Sequence, residues 1–285
     1  MKSASIWSRK HQVPIIFDPL ISAYDKQIFE RKKFTAESGK GIKLLNWEKQ
    51  LFQNADLVIG DTREHCTFFH DTFDVEKDRL IDIPVGAEET VFSPISNPFP
   101  PNNPIRVLFY GSFLGLQGPQ YIIEAAKQYQ GASVQWQMMG DGPLLEQCKK
   151  EAQEIQNIEF IPWVSYEELP RRIRSADILL GIFGTSSKAH RVIPNKVYQA
   201  LACGKPLVTM HSPAYPDSFP TASDLGIRWV APGDPKQLAQ SIAELAAQPL
   251  QIQELGKEAY QTFIRFFSEA DIERRLEQAL KRFCS

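Results

Sequence analysis

The feature that most constrains this chain is a proline-rich break from Ser93 to Pro104, S-P-I-S-N-P-F-P-P-N-N-P, with the same alternation of short apolar runs and helical stretches on both sides of it. Five prolines and three asparagines can continue neither a helix nor a ladder, so a stiff extended linker is predicted there. Before the break, short strands are predicted at Val13–Phe17, Ala55–Ile59 and Asp78–Pro84, the first ending on the carboxylate of Asp18. Helical spacing runs from Ile42 to Phe52, Asp61-Thr62 can cap the next helix, and Tyr24 to Phe34 reads as a lid or helix too polar for a core. After the break, strands are predicted at Ile105–Tyr110, Val134–Met139, Ile158–Ile161, Ile178–Phe183, Pro206–Met210 and Ile227–Val230. A capped helix is predicted from Ser165 and amphipathic helices at Gln237–Ala247 and Leu250–Phe267, with a charged one from Glu269 to Phe283. Strands alternating with helices give an α/β class with doubly wound parallel sheets in two units.

Bulk properties exclude several functions. The 285 residues are 43% hydrophobic and 23% charged, as in a soluble globular protein, and a net charge of −2 with pI near 6.2 provides no field for nucleic acid. Cys66, Cys148, Cys203 and Cys284 have no metal-ligand spacing and are expected to be reduced thiols of a cytoplasmic protein. His11, His65, His70, His190 and His211 lack zinc spacing too, and no apolar run has the length of a signal or a membrane span.

Chemistry concentrates between Gly181 and Pro206. An apolar strand stops, a polar loop brings Lys188, His190 and Arg191, and a helix opens at Pro194-Asn195-Lys196 before Gly204 and Pro206 end it. Free amides of a first helical turn beside three cations make a seat for a diphosphate. Any one of these lysines alone would more often be a solvated surface charge. A glycine-rich turn, Gly111-Ser112-Phe113-Leu-Gly115-Leu-Gln117-Gly118, also follows a strand and opens a helix, but its spacing is not that of dinucleotide folds. Gly140-Asp141-Gly142-Pro143 falls on the same rim, with Asp141 the better cap than catalyst.

From about Pro14 to about Phe267 the chain resembles the retaining GT-B glycosyltransferases of group 1, family 4. The likeness rests on A-D-L-V-I-G-D-T with I-P-V-G-A-E-E-T-V-F-S-P, then V-L-F-Y-G-S-F-L-G-L-Q-G, M-G-D-G-P and I-P-N-K-V-Y-Q-A-L-A-C-G-K-P-L-V-T, in that order. It implies two Rossmann-like domains facing across a cleft: an acceptor-side unit at 1–92, the linker at 93–104, a donor-binding unit at 105–267 and a helix at 268–285 crossing back. It further implies that a nucleotide-sugar donor is held by Gly111, Ser112, Phe113 and Gly118 of the glycine turn, by Gly140 and Asp141, by the backbone at Val164 for the base, by His190 and Asn195, by Gln199 for the ribose, and by Asp217. Lys188, Arg191 and Lys196 would stabilise charge on the departing diphosphate, with no metal or other cofactor.

Departures accompany the resemblance. Many members carry Arg after the first glycine and Lys before the last, where this chain has Ser112 and Gln117; the E-x7-E pair reads Arg191 and Gln199. About ninety residues precede the linker and match only the latter half of an acceptor-side domain, so a truncated start, or a separate chain supplying the opening strands, is expected. The acceptor is expected to be a hydroxyl of a glycan, lipid or small molecule, with peripheral membrane association compatible. A non-catalytic nucleotide-binding or partner-binding remnant and a sugar-nucleotide epimerase remain alternatives.

Overall fold

A computed structural model describes residues 2–96, 100–217, 219 and 226–283. Cys284 and linker residues 97–99 lie outside the described residues. The first unit comprises α1 (Lys2–His11), β1 (Ile16–Phe17), α2 (Ala23–Asp25) continuing into a π-helical turn (Lys26–Glu30), α3 (Gly39–Gln53), β2 (Leu57–Gly60), α4 (Arg63–Phe73) and β3 (Leu80–Asp82). Its three strands are parallel in the order β1-β2-β3, with Ile16 opposite Leu57 and Val58 opposite Leu80. Phe52, Phe69 and Phe73 fill its core, Phe52 stacking on Phe73 at 4.3 Å between ring centroids. Each such ring withdrawn from water contributes about 1.5–3 kcal/mol.

Two expectations for this unit are corrected. The first strand is two residues long instead of five, because Pro14 has no N–H to give a ladder and the Val13 amide donates back to the Ser8 carbonyl at 3.1 Å, closing a turn from α1. The stretch from Tyr24 takes the helical alternative and is not too polar for the core: Tyr24, Asp25 and Ile28 are buried, while residues 31–33 are exposed. Its polarity is satisfied internally, since the buried Glu48 carboxylate of α3 accepts from Ser22 Oγ at 2.6 Å and from the amides of Ala23 and Tyr24 at 2.8 and 2.7 Å. The sequence reading assigned no helix to α1. As an edge strand β1 leaves Ile16 39% exposed, and Ile6, Trp7, Leu20, Ile21 and Trp47 of the same unit are also exposed.

The second unit comprises β4 (Ile105–Ser112), α5 (Pro119–Gln128), β5 (Val134–Asp141), α6 (Leu145–Glu151), β6 (Ile158–Ile161), α7 (Leu169–Ser175), β7 (Ile178–Leu180), a 3-10 turn (Ala189–Arg191), α8 (Asn195–Ala202), β8 (Leu207–Met210), β9 (Ile227–Val230), α9 (Pro235–Ala246) and α10 (Pro249–Phe266). Its six parallel strands run β6-β5-β4-β7-β8-β9. Central β4 is buried on both faces: Val107 and Phe109 point into one helical layer, Leu108 and Tyr110 into the other, as the two-residue period of a strand requires. The helix predicted from Ser165 starts at Leu169, after a turn through 165–168.

The buried Asp177 ties linker to sheet by accepting from the Arg106 amide at 2.7 Å and the Asn102 amide at 3.1 Å. The chain then returns. After α10, Ser268 caps α11 (Glu269–Leu280), whose Arg275 reaches Asp82 at 3.7 Å while Arg282 just beyond it donates to the Asp78 carbonyl at 2.6 Å. Cys66, Cys148 and Cys203 are buried free thiols that burial pushes up to about 12, 11 and 12, so none offers a thiolate.

Candidate donor site at the strand-order reversal

Strand order reverses between β4 and β7, and in open α/β sheets the crevice beyond the carboxyl ends of such strands is where ligands bind. The two loops meet there, for the Phe183 amide donates to the Gln117 carbonyl at 3.1 Å. Register continues through the glycine turns, Gly111 pairing with Gly140 and Ser112 with Asp141. A Cβ on Gly140, at φ +134°, would fall 2.0 Å from the Gly111 carbonyl oxygen, so only glycine lets these strand ends approach. Asp141 accepts from the next amide, Gly142, at 2.7 Å and shapes this turn. Gly118 caps α5. Ser112 is exposed at the rim, whereas Phe113 is fully buried, its ring 5.6 Å from that of Phe109.

Lys196 enters this crevice from the first turn of α8. It is 5% exposed, its Nζ lies 3.8 Å from the centroid of the Phe109 ring, and its partner is the side-chain oxygen of Gln117. A Cβ on Gly111 would meet Nζ at 3.0 Å. Burial alone, with no carboxylate opposing it among the described residues, brings this ammonium well below the usual lysine range. One turn on, Gln199 accepts from the Tyr110 hydroxyl at 2.9 Å, leaving its amide nitrogen available. Asn195 is exposed at the mouth of the helix. Val164 is half-buried beyond β6; its neighbour Trp163, 59% exposed, lies over Gly140, with ring atom Cε3 3.1 Å from the position a Cβ there would take.

The other predicted cations lie elsewhere. Lys188 is buried with its Nζ 3.2 Å from Asp25 and 2.7 Å from Glu30, and Arg191 pairs with Asp25 while its guanidinium lies 4.4 Å over the Phe68 ring. The expected grouping of three cations around one diphosphate is therefore not what the structure assembles: two of them are neutralised by carboxylates of the first unit. The His190 carbonyl accepts from Ser212 Oγ at 3.0 Å, and Asp217 is exposed and paired with Arg63 of α4. Sequence reasoning gave no site role to Tyr110 and Gln117 beside Lys196 or to Trp163 over Gly140, nor to Asp25, Glu30 and His65.

Residues 104–248 match the family model described as glycosyl transferases group 1. The chain belongs to the group 1 glycosyltransferases. The match covers β4 to α9, so the glycine turns, Lys196 and Gln199 are parts of a group 1 glycosyltransferase domain. Over 106 residues the chain is 29% identical to "Putative colanic acid biosynthesis glycosyl transferase WcaI" of Escherichia coli (strain K12), covering 36% of this chain and 26% of that relative, about a quarter of its length. The fold is that of Anabaena Alr3699/HepE, solved in complex with UDP and glucose, with a TM-score of 0.73 at 15% identity over 98% of this chain and 74% of that one. Sucrose-phosphate synthase from Thermosynechococcus elongatus shares it with a TM-score of 0.74 at 18% identity, over 97% of this chain and 70% of that one. This group 1 glycosyltransferase is thus an α/β protein with the two Rossmann-like units of the GT-B fold. No helix among its described residues is long and apolar enough to cross a membrane.

Proposed function

We propose that the protein transfers a sugar from a nucleotide diphosphate donor to a hydroxyl acceptor with retention of configuration. One observation carries this reading: among the described residues no carboxylate pairs with Lys196, a buried amine held against the Gly111 turn at the amino end of α8. A diphosphate there would supply the missing negative charge, and helix amides would share it. Related folds solved with UDP and with UDP-glucose support a uridine nucleotide as the first donor to test. In this reading the indole of Trp163 covers the base near Val164, the Gln199 amide meets the ribose, and Lys196 stabilises charge on the leaving diphosphate without a metal ion. The acceptor, a glycan, lipid or small molecule, enters from the side of the first unit in the cytoplasm.

Calorimetric titration with UDP tests the site, with Lys196→Met expected to weaken binding by about 1.5–3 kcal/mol. Unaltered affinity in that variant removes Lys196 from the site. Incubation with UDP-sugars followed by NMR of the product's anomeric centre tests transfer and retention. A second reading, a nucleotide-binding protein that transfers nothing, is favoured by the pairing of Lys188 and Arg191 with Asp25 and Glu30. It predicts UDP binding without donor turnover.

A further inference from the structure

From the packing of the first unit against the loop that leads into α8, we infer that Asp25, His65 and Asp61 form a proton-linked clasp holding the Lys188–Arg191 turn. The inference stands apart from the donor reading, because it concerns contacts on the opposite side of that turn.

The clasp is built from both units. Asp25, 1% exposed on α2, faces Lys188 at 3.2 Å and Arg191 from the second unit, and His65 Nε2 from its own unit at 3.8 Å. His65 is itself 5% exposed, capped into α4 by Thr62 and paired through Nδ1 with Asp61. Lys188 also takes Glu30 at 2.7 Å. Arg191 is enclosed further by the Phe29 and Phe68 rings, and its carbonyl accepts from Thr62 Oγ1 at 2.6 Å.

Counting charges shows where the proton matters. Three carboxylates, Asp25, Glu30 and Asp61, stand against two basic side chains, Lys188 and Arg191. With a neutral His65 ring the first unit presents three negative charges to these cations, and an imidazolium bridging Asp61 and Asp25 cancels one of them. Beyond Asp61 the small cavity is lined by Arg63, Asp82 and Arg275; Arg63 is paired with Asp217, and Asp82 lies 3.7 Å from Arg275. Phe69 stacks on the remaining face of His65 at 5.7 Å.

Burial would lower the His65 pKa, but Asp25 and Asp61 outweigh it and raise it above the usual histidine value. Burial acts on Asp25 in the opposite sense, and His65, Lys188 and Arg191 together hold its carboxyl below the usual range. This raise is made within the first unit, and the stability it gives that unit is fully present below the unfolded pKa of about 6.5 and lost as pH rises through the folded value. The carboxylates that raise His65 lie on its own unit, whereas docking of the turn brings Lys188 and Arg191 to the same Asp25. The imidazolium cancels part of the pocket's pull on those two cations, so it is uptake of the proton that loosens the hold on the Ala189–Arg191 turn.

The test follows His65 and the turn together in the full chain. NMR of ring-labelled histidines gives the His65 titration, and hydrogen exchange corrected for intrinsic rates gives amide protection over 189–192. We expect protection to fall at least threefold as His65 takes up its proton. In Asp61→Asn, His65 keeps one carboxylate, so its titration and the loss of protection should move to lower pH together. Glu30→Gln should lower protection at every pH without moving the midpoint. Protection that stays constant through the His65 titration of the unmodified protein overturns the clasp, as does an unmoved midpoint in Asp61→Asn when the histidine itself has shifted.

Discussion

Lys196 rests its ammonium 3.8 Å above the Phe109 ring, and Phe109 is the β4 residue two positions before Gly111, where the strand opens into the glycine turn. A cation buried on an aromatic face is stabilised by the ring, by about 2 kcal/mol when desolvated, and among the described residues no carboxylate pairs with this one. UDP affinity should therefore fall as pH rises through the lowered pKa of free Lys196, since the neutral amine no longer attracts phosphate. Above that pKa, binding restores the proton. Calorimetry in buffers of different ionisation enthalpy should show net proton uptake, absent in Lys196→Met.

Gln199 stands where the family resemblance implies a glutamate, with its side-chain oxygen already taken by Tyr110 at 2.9 Å. Gln199→Glu keeps that bond and adds a charged oxygen for the ribose diol, a contact roughly twice as strong as its neutral counterpart. UDP should bind several-fold tighter to this variant. The 2′,3′-dideoxy analogue should show no gain.

Trp163 supplies the broad apolar surface at this rim. Trp163→Ala should weaken UDP binding by about 1–3 kcal/mol, the range for a base stacked on an aromatic side chain, and leave pyrophosphate binding unchanged. Equal losses for both ligands would assign the indole a structural part.

Gly140→Ala tests the contact between strand ends. Its φ of +134° and the 2.0 Å approach to the Gly111 oxygen mean that the backbone must move, so about 1–3 kcal/mol of unfolding free energy should be lost. Urea denaturation measures the loss, and UDP affinity should decline with it because Gly111 is displaced.

Much of the second unit was legible in the sequence. Long apolar runs such as Ile105–Tyr110 carry period and length together, and parallel strands buried on both faces leave few alternatives. Lys196 was legible too, because a helix start beside a glycine turn is a local pattern. Asp25 was not. It lies in a stretch rich in charge that local polarity assigns to the surface, and it is buried because Lys188 and Arg191 come to it from 166 residues away in the case of Arg191. Long-range neutralisation leaves no trace in a window of ten residues. The same ignorance of partners placed Lys188 and Arg191 with Lys196 on sequence proximity alone.

The chain passes between the units twice, and the two passages lie side by side. Ile272 closes over Gly86, and the amides of Glu89 and Glu269 each bond the other's carboxylate, at 3.3 and 2.7 Å. Adjacent crossings behave as a pin joint: the halves can swing about that corner, while sliding or twisting would tear at both covalent threads together. Any opening of the first unit away from the second is thereby guided into rotation, about an axis beside Gly86.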